Sequence, residues 1–256
     1  MVNEGDLLWT PAESFVRGTN MARYMRWLGS ERGLHFDDYE ALRRWSVEET
    51  DAFWSSIWHW CGVQHDGSAA PVTNGASMPH TRWFPEARVN YAEHVLRHAA
   101  SASAAHPAFL HLTEGKALQT LTLRELASQV RRLAERLRSM GVQPSDRVVA
   151  YMPNVPACAV AMLAAISIGA VWSSAAIEFG TRTVIDRFSQ IAPKVLIAGD
   201  GYRFGGKAFD RRAEVAEIAK ALPSLEALVW VPQLEAEPQV SAAVAQTRFD
   251  ALLEGS

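Results

Sequence analysis

The segment Gly201-Tyr-Arg-Phe-Gly-Gly-Lys207 has the spacing G-x-x-x-x-G-K of a loop that cradles phosphate, and it follows an apolar run and precedes a helical pattern. A nucleotide-hydrolysing loop of that type needs Ser or Thr next, to hold magnesium, whereas residue 208 is alanine. That chemistry is set aside. What remains is a flexible glycine loop carrying Arg203, a planar fork of donors, and Lys207, a mobile point charge. Together they could grip a phosphate without a metal, although spacing alone favours a solvated turn with two surface cations. Gly199-x-Gly201 opens a dinucleotide fingerprint, but Phe204 stands where its third glycine belongs. His94 and His98 have the i, i+4 spacing of metal ligands without a third ligand nearby, so a solvated helix face is the better reading. No histidine follows His111 and no Gly-x-Ser-x-Gly elbow occurs, which disfavours a Ser-His-Asp hydrolase.

The elements that must hold these residues alternate regularly in the second half. Strands are expected at 108–113, 118–121, 147–151, 170–173, 194–198 and 227–231, with helices at 123–140, 156–168, 181–191 and 210–221. Thr122 and Glu125 form a capping box, Leu126, Val130, Leu133, Leu137 and Met140 give an apolar stripe, and Gly141 ends the helix in a left-handed cap. Strands and helices in this alternation predict an α/β fold, a mostly parallel sheet covered on both faces.

The first half reads differently. Seven of nine tryptophans and every histidine fall within residues 1–111. Thr10-Pro11 is expected to open a helix, Ser46 and Glu49 to cap another, and the latter to carry Phe53, Trp54, Ile57, Trp58 and Cys61 near one face. That spacing favours core packing over cofactor stacking. Residues 62–82 read as loop, 89–98 as helix, and Ala99–Ala105 as a short linker. The domains expected are a helical extension over 1–100 and an α/β unit over 101–256.

A net charge of −3 and a pI near 6.2 leave no basic footprint for nucleic acid. Cys61 and Cys158 lack metal-ligand spacing and read as buried thiols in a reducing, cytosolic protein. Residues 148–177 include no charged residue, yet Pro153, Asn154, Pro156 and Gly169 break them into a buried helix and a buried strand rather than a membrane span. The last segment, 249–256, begins a helix. An α/β sheet stopping there would leave an unfinished edge, which suggests a truncated chain.

Several ordered segments carry a family resemblance. Thr122-x-x-Glu-Leu126, Gly141-Val-x-x-x-Asp-Arg-Val-Val149, Tyr151-Met-Pro-Asn-x-Pro156 and Ile168-Gly-Ala-Val-Trp-Ser173 resemble the early segments of the adenylate-forming acyl-CoA synthetases. Trp83-Phe-Pro-x-Ala-Arg-x-Asn-Tyr-Ala-Glu-His94, Leu8-Trp-Thr-Pro11 and Met21-Ala-Arg-Tyr-Met-Arg-Trp27 are similar to the acetyl-CoA synthetase branch, and within it to enzymes acting on acetoacetate.

The resemblance implies a ligase that activates acetoacetate with ATP and Mg2+ and then transfers the acyl group to coenzyme A. It places the loop Ala175-Ala-Ile-Glu-Phe-Gly180 along the pantetheine channel, so Ala176, Ile177 and Glu178 become coenzyme A candidates. Ala176 and Ile177 depart from the small, polar or glycine residues usual there. Arg203 matches the basic residue that reaches the adenine and 3′-phosphate of coenzyme A, and Lys207 matches a second one if an extra residue is accommodated. The Thr/Ser/Gly-rich phosphate loop ending in Pro-Lys is absent, as are the other segments that bind ATP, magnesium and the acid. The chain is thus expected to be the N-terminal part of such an enzyme, inactive alone and using coenzyme A only, with no catalytic residue assigned. Acetoacetate-dependent ATP–pyrophosphate exchange would contradict that expectation. An acetate or propionate ligase, or a non-catalytic module binding coenzyme A or a protein, stays open.

Overall fold

The front of the chain folds around its aromatic side chains. A computed structural model describes residues 2–254 and divides them into two compact units between Val89 and Asn90. The first contains α1 (Glu13–Gly18), α2 (Asn20–Arg32), α3 (Tyr39–Glu48) and α4 (Thr50–Trp60), then a small antiparallel pair, β1 (Asp66–Gly67) with β2 (Ala87–Arg88). Tyr24, Leu28 and Leu42 are buried at its centre, ringed by Trp27, Trp45, Phe53, Ile57 and Trp60. Trp54 and Trp58 face elsewhere, against Trp83 and Phe84, with ring centres 5.8 and 4.2 Å apart. The α4 aromatics therefore use two faces rather than one, and their role in this unit is packing.

Other local expectations for this unit are corrected. α3 continues through Ser46, whose hydroxyl donates to Arg43 O at 2.7 Å, so the Ser46–Glu49 capping box does not form. Helix α4 starts at Thr50 without a side-chain cap. Thr10-Pro11 lies ahead of the first helix, which begins at Glu13, and it is Thr19 that caps α2 by accepting Ala22 N–H. Cys61 is exposed at the end of α4; Cys158 is partly buried, and that burial pushes its thiol pKa up.

In the second unit α5 (Tyr91–Leu96) is capped by Asn90, whose Oδ1 accepts from Ala92 and Glu93 while its Nδ2 donates to Ile166 O at 2.9 Å. The Ala99–Ala105 stretch is not a linker, because a 3₁₀ turn over Ala102–Ala105 buries Ala104 completely. The antiparallel pair β3 (Pro107–His111) and β4 (Gln119–Thr122) leads into α6 (Leu123–Ser139). The Thr122–Glu125 capping box is complete. At the far end Val142 N–H bonds Leu137 O and Gly141 N–H bonds Arg138 O, a Schellman ending with Gly141 at φ +81°.

The remaining elements are β5 (Arg147–Met152), α7 (Pro156–Ser167), β6 (Val171–Ala176), α8 (Thr181–Phe188), β7 (Val195–Gly199), β8 (Gly201–Phe204), β9 (Lys207–Asp210), α9 (Arg212–Ala221), β10 (Ala227–Val231), β11 (Ala245–Arg248) and α10 (Phe249–Leu253). A parallel five-stranded sheet runs β11-β10-β7-β5-β6. Strands β7 and β10 are buried along their whole length, which is why they read as unbroken apolar runs rather than alternating ones. One face packs on α5, α6, α7 and α10 through Leu133, Leu163 and Ile197; the other packs on α8 and α9 through Phe188, Ile218 and Trp230.

Strand β6 lies at the sheet's edge and is only partly buried, contrary to the buried strand expected, with Val171 48% exposed. Strand β11, on the other edge, was not foreseen. Its Ala-Gln-Thr-Arg sequence has no apolar run, and Gln246 is held instead by Trp230 Nε1 at 2.9 Å. No helix among the described residues is long and apolar enough to cross a membrane.

Candidate functional site

Strand order places the crevice. The chain enters the sheet at β5, steps to β6 on one side, then crosses to β7 on the other, so the connections leaving β5 and β7 diverge over opposite faces. Ligands of open α/β sheets bind at the carboxyl ends of strands around such a point. Here those ends carry Pro153 and Asn154 after β5, Asp200 after β7 and Gln233 after β10.

Segment 201–207 is not a loose phosphate loop. Strands β8 and β9 form a tight antiparallel hairpin closed by Gly205 and Gly206, at φ +58° and +76°. Consecutive positive φ angles are what a two-residue hairpin turn demands, and glycine adopts them without strain. The pleat then separates the two expected cations. Arg203 pairs with Ala208, whereas Lys207 pairs with Phe204, the next residue along, so Arg203 and Lys207 fall on opposite faces. Both are exposed. Tyr202 and Phe209 stack across the hairpin base, 5.0 Å apart and 11° from parallel.

Neighbouring loops are tied to this hairpin. Glu114, in the β3–β4 turn, accepts Gly206 N–H at 2.7 Å. Asp200 is wholly buried, and its carboxylate accepts the N–H groups of Gln233 at 2.6 Å, Leu234 at 3.0 Å and Glu235 at 2.7 Å. Its own carbonyl accepts Arg211 N–H at 2.8 Å. One buried carboxylate thus fixes the segment after β10 against the start of the hairpin, its desolvation offset by three donors.

Between these parts lie two adjoining cavities. The larger, about 570 Å³, runs from the β3–β4 pair to the start of α7, where Leu121, Val155 and Val231 give apolar wall and Gln119, Gln129 and Gln233 give amides. The smaller, about 180 Å³, lies towards the hairpin and is lined by Arg203, Tyr202, Asn154 and Glu114. His111, Thr113, Lys116 and Gln233 border both. His111 Nε2 and Thr113 Oγ1 are 2.7 Å apart, which orients the imidazole at the shared wall. Sequence reading singled out none of these shared residues as ligand contacts. The only local signal was the Pro-Asn-x-Pro turn after an apolar strand.

The loop following β6 is held from beneath. Tyr151, buried in the sheet, donates its hydroxyl to Ile177 O at 2.7 Å and lies 3.0 Å from Phe179 O. Burial pushes its pKa up to about 12. Ile177 is fully buried and its carbonyl is occupied by Tyr151, so, against the expectation for it, it presents no surface to a ligand, whereas Ala176 and Glu178 are exposed. Arg211 sits over the Tyr202 ring at 5.6 Å and pairs with Glu214 at 2.5 Å, and that bond raises the pKa of its guanidinium. No group of three or more acidic, histidine or cysteine ligands able to hold a metal occurs among the described residues.

The arrangement is a wall of amides and apolar surface with Arg203 and Lys116 at one end, groups that can donate hydrogen bonds to an anionic small molecule. Comparison with known proteins agrees with the fold and narrows the lineage. Residues 96–252 match the AMP-binding enzymes, and residues 39–95 match the acetyl-coenzyme A synthetase N-terminus. The chain is 41% identical over 215 residues to acetoacetyl-coenzyme A synthetase of Rhizobium meliloti (strain 1021), covering 84% of this chain and 32% of that protein. Acetoacetyl-CoA synthetase of Macaca fascicularis is 35% identical over 243 residues, or 93% of this chain and 35% of the relative. The solved acetoacetyl-CoA synthetase from Streptomyces lividans superposes with a TM-score of 0.90 at 40% identity, over 96% of this chain and 38% of that one. The chain therefore spans about a third of the length of the relatives it matches. By the family match, which takes in more than half of its residues, the chain belongs to the AMP-binding enzymes.

Proposed function

We propose that these residues are the coenzyme A-holding portion of an ATP-dependent acid–CoA ligase whose acid is acetoacetate. A carboxylate is a poor electrophile. Adenylation by ATP with magnesium makes one of its oxygens a leaving group, and the thiol of coenzyme A then takes the acyl group. The observation that carries the reading is the likeness to the Streptomyces enzyme over 96% of this chain. Acetoacetate is favoured over acetate or propionate because the relatives above are acetoacetyl-CoA synthetases.

Within the reaction, this chain's contribution is placement. Arg203 offers planar donors to a phosphate of coenzyme A, and the exposed Ala176 and Glu178 border the path of the pantetheine arm. Calorimetry with coenzyme A on the 256-residue polypeptide tests this directly. Binding heat is expected, and Arg203→Ala should weaken it by about tenfold or more, since a charge-assisted hydrogen bond contributes about 1.5–3 kcal/mol. Absence of heat with the unsubstituted chain would overturn the reading.

A further inference from the structure

The hairpin leaves Arg203 without the lysine that sequence spacing offered it, because Lys207 lies on the other face. Another lysine is at hand. Lys116, in the β3–β4 turn, lines the same cavity of about 180 Å³ as Arg203, and Lys207 does not. The Glu114–Gly206 hydrogen bond of 2.7 Å clips that turn to the hairpin tip, and Lys116 lies two residues from the clip. Among the described residues neither Arg203 nor Lys116 has a side-chain hydrogen bond or ion pair, whereas Arg147, Arg211, Arg212 and Arg248 are all paired. Glu114 is the acidic residue on the same wall, and its Oε1 is engaged by Gly206 N–H.

We propose that Lys116 is the second cation of a phosphate grip whose first is Arg203, and that the group held is the 3′-phosphomonoester of coenzyme A. The proposal rests on the coenzyme A reading above and deepens it. A phosphomonoester carries close to two negative charges at neutral pH and three acceptor oxygens. Guanidinium donors from one loop and an ammonium from another can reach different oxygens, whereas a single cation leaves part of the charge unmatched. Asn154, on the same cavity wall, adds a neutral donor. The larger cavity adjoins at Lys116 and has room beside the phosphate for the attached nucleoside.

Calorimetry with coenzyme A and with 3′-dephospho-coenzyme A separates the possibilities. For the unsubstituted chain, coenzyme A should bind about tenfold or more tightly than the dephospho form. Lys116→Ala should lose most of that difference while leaving affinity for the dephospho form within about twofold, and Lys207→Ala should change neither. Lys116 is exposed, so its removal is not expected to disturb folding, and an unchanged urea midpoint checks this. If both forms bind the unsubstituted chain equally, or if Lys207→Ala rather than Lys116→Ala erases the difference, the proposal is overturned while coenzyme A binding stands. If neither form binds, the broader reading fails with it.

Discussion

Tyr151 shows how much one hydroxyl can hold. It is the residue of β5 that reaches beneath the β6–α8 loop, and both it and the Ile177 carbonyl that accepts its hydroxyl belong to fully buried residues. Tyr151→Phe keeps the ring and removes the donor, so it is expected to cost about 1–2 kcal/mol in urea unfolding. The pH dependence should change too. Raised folded-state pKa values of acids stabilise the fold fully below the unfolded value. Here that contribution is lost as pH climbs from the ordinary tyrosine value near 10 towards about 12. The unsubstituted chain should therefore lose stability over that window, and Tyr151→Phe should lose less of it. An equally steep alkaline decline in both would contradict the assignment. At this scale the sequence revealed residue types better than partners. Arg203 stood out because arginine on a glycine-rich segment is chemically conspicuous. Lys116 did not, since its relation to Arg203 exists only once β3–β4 and β8–β9 are brought together across many residues of chain.

Among elements, the hairpin decides what the site can be. Gly205 and Gly206 make a turn in which both φ angles are positive, so substitution there tests element rather than contact. Asparagine tolerates the left-handed region and is favoured at the first turn position, whereas valine is strained there. Gly205→Asn should thus retain slow amide exchange across the β8–β9 pairs and retain coenzyme A affinity. Gly205→Val should lose both, with little change in the unfolding midpoint because the tip is exposed. Intact protection in the valine variant would show that the turn does not control the pairing. Helices α6, α7 and α9 and strands β5, β7 and β10 were legible beforehand, because burial imposes apolar runs and stripes on them. The hairpin was not: its Tyr, Phe and Phe alternate too briefly, and its glycines mimic a flexible loop. Strand β11 was hidden by polarity, since an edge strand can take its register from backbone pairing to β10 without an apolar sequence of its own.

For the molecule as a whole, the division between Val89 and Asn90 makes a stronger claim than composition did. The second unit owns both faces of its sheet: Leu133, Val148, Leu163 and Ile197 on one side, Tyr151, Phe188, Ile218 and Trp230 on the other. Its first residue is tied in by Asn90 Nδ2 to Ile166 O, and its last described helix by Arg132 Nη1 to Leu253 O at 2.9 Å. Both crevice cavities are lined only by residues of this unit. A polypeptide beginning at Asn90 should therefore fold by itself, because no core side chain it needs comes from the tryptophan-rich front. The expected signs are a single cooperative urea transition and near-ultraviolet circular dichroism from fixed aromatic side chains. Coenzyme A heat should fall within about threefold of the longer chain's, a shift of less than about 0.7 kcal/mol. A broad transition with retained helix signal and lost aromatic ellipticity would mean that the front unit supplies packing that the second unit's two cores do not contain. Cooperative folding with lost coenzyme A heat would point instead to a contribution of the front unit to binding, leaving the cores as described.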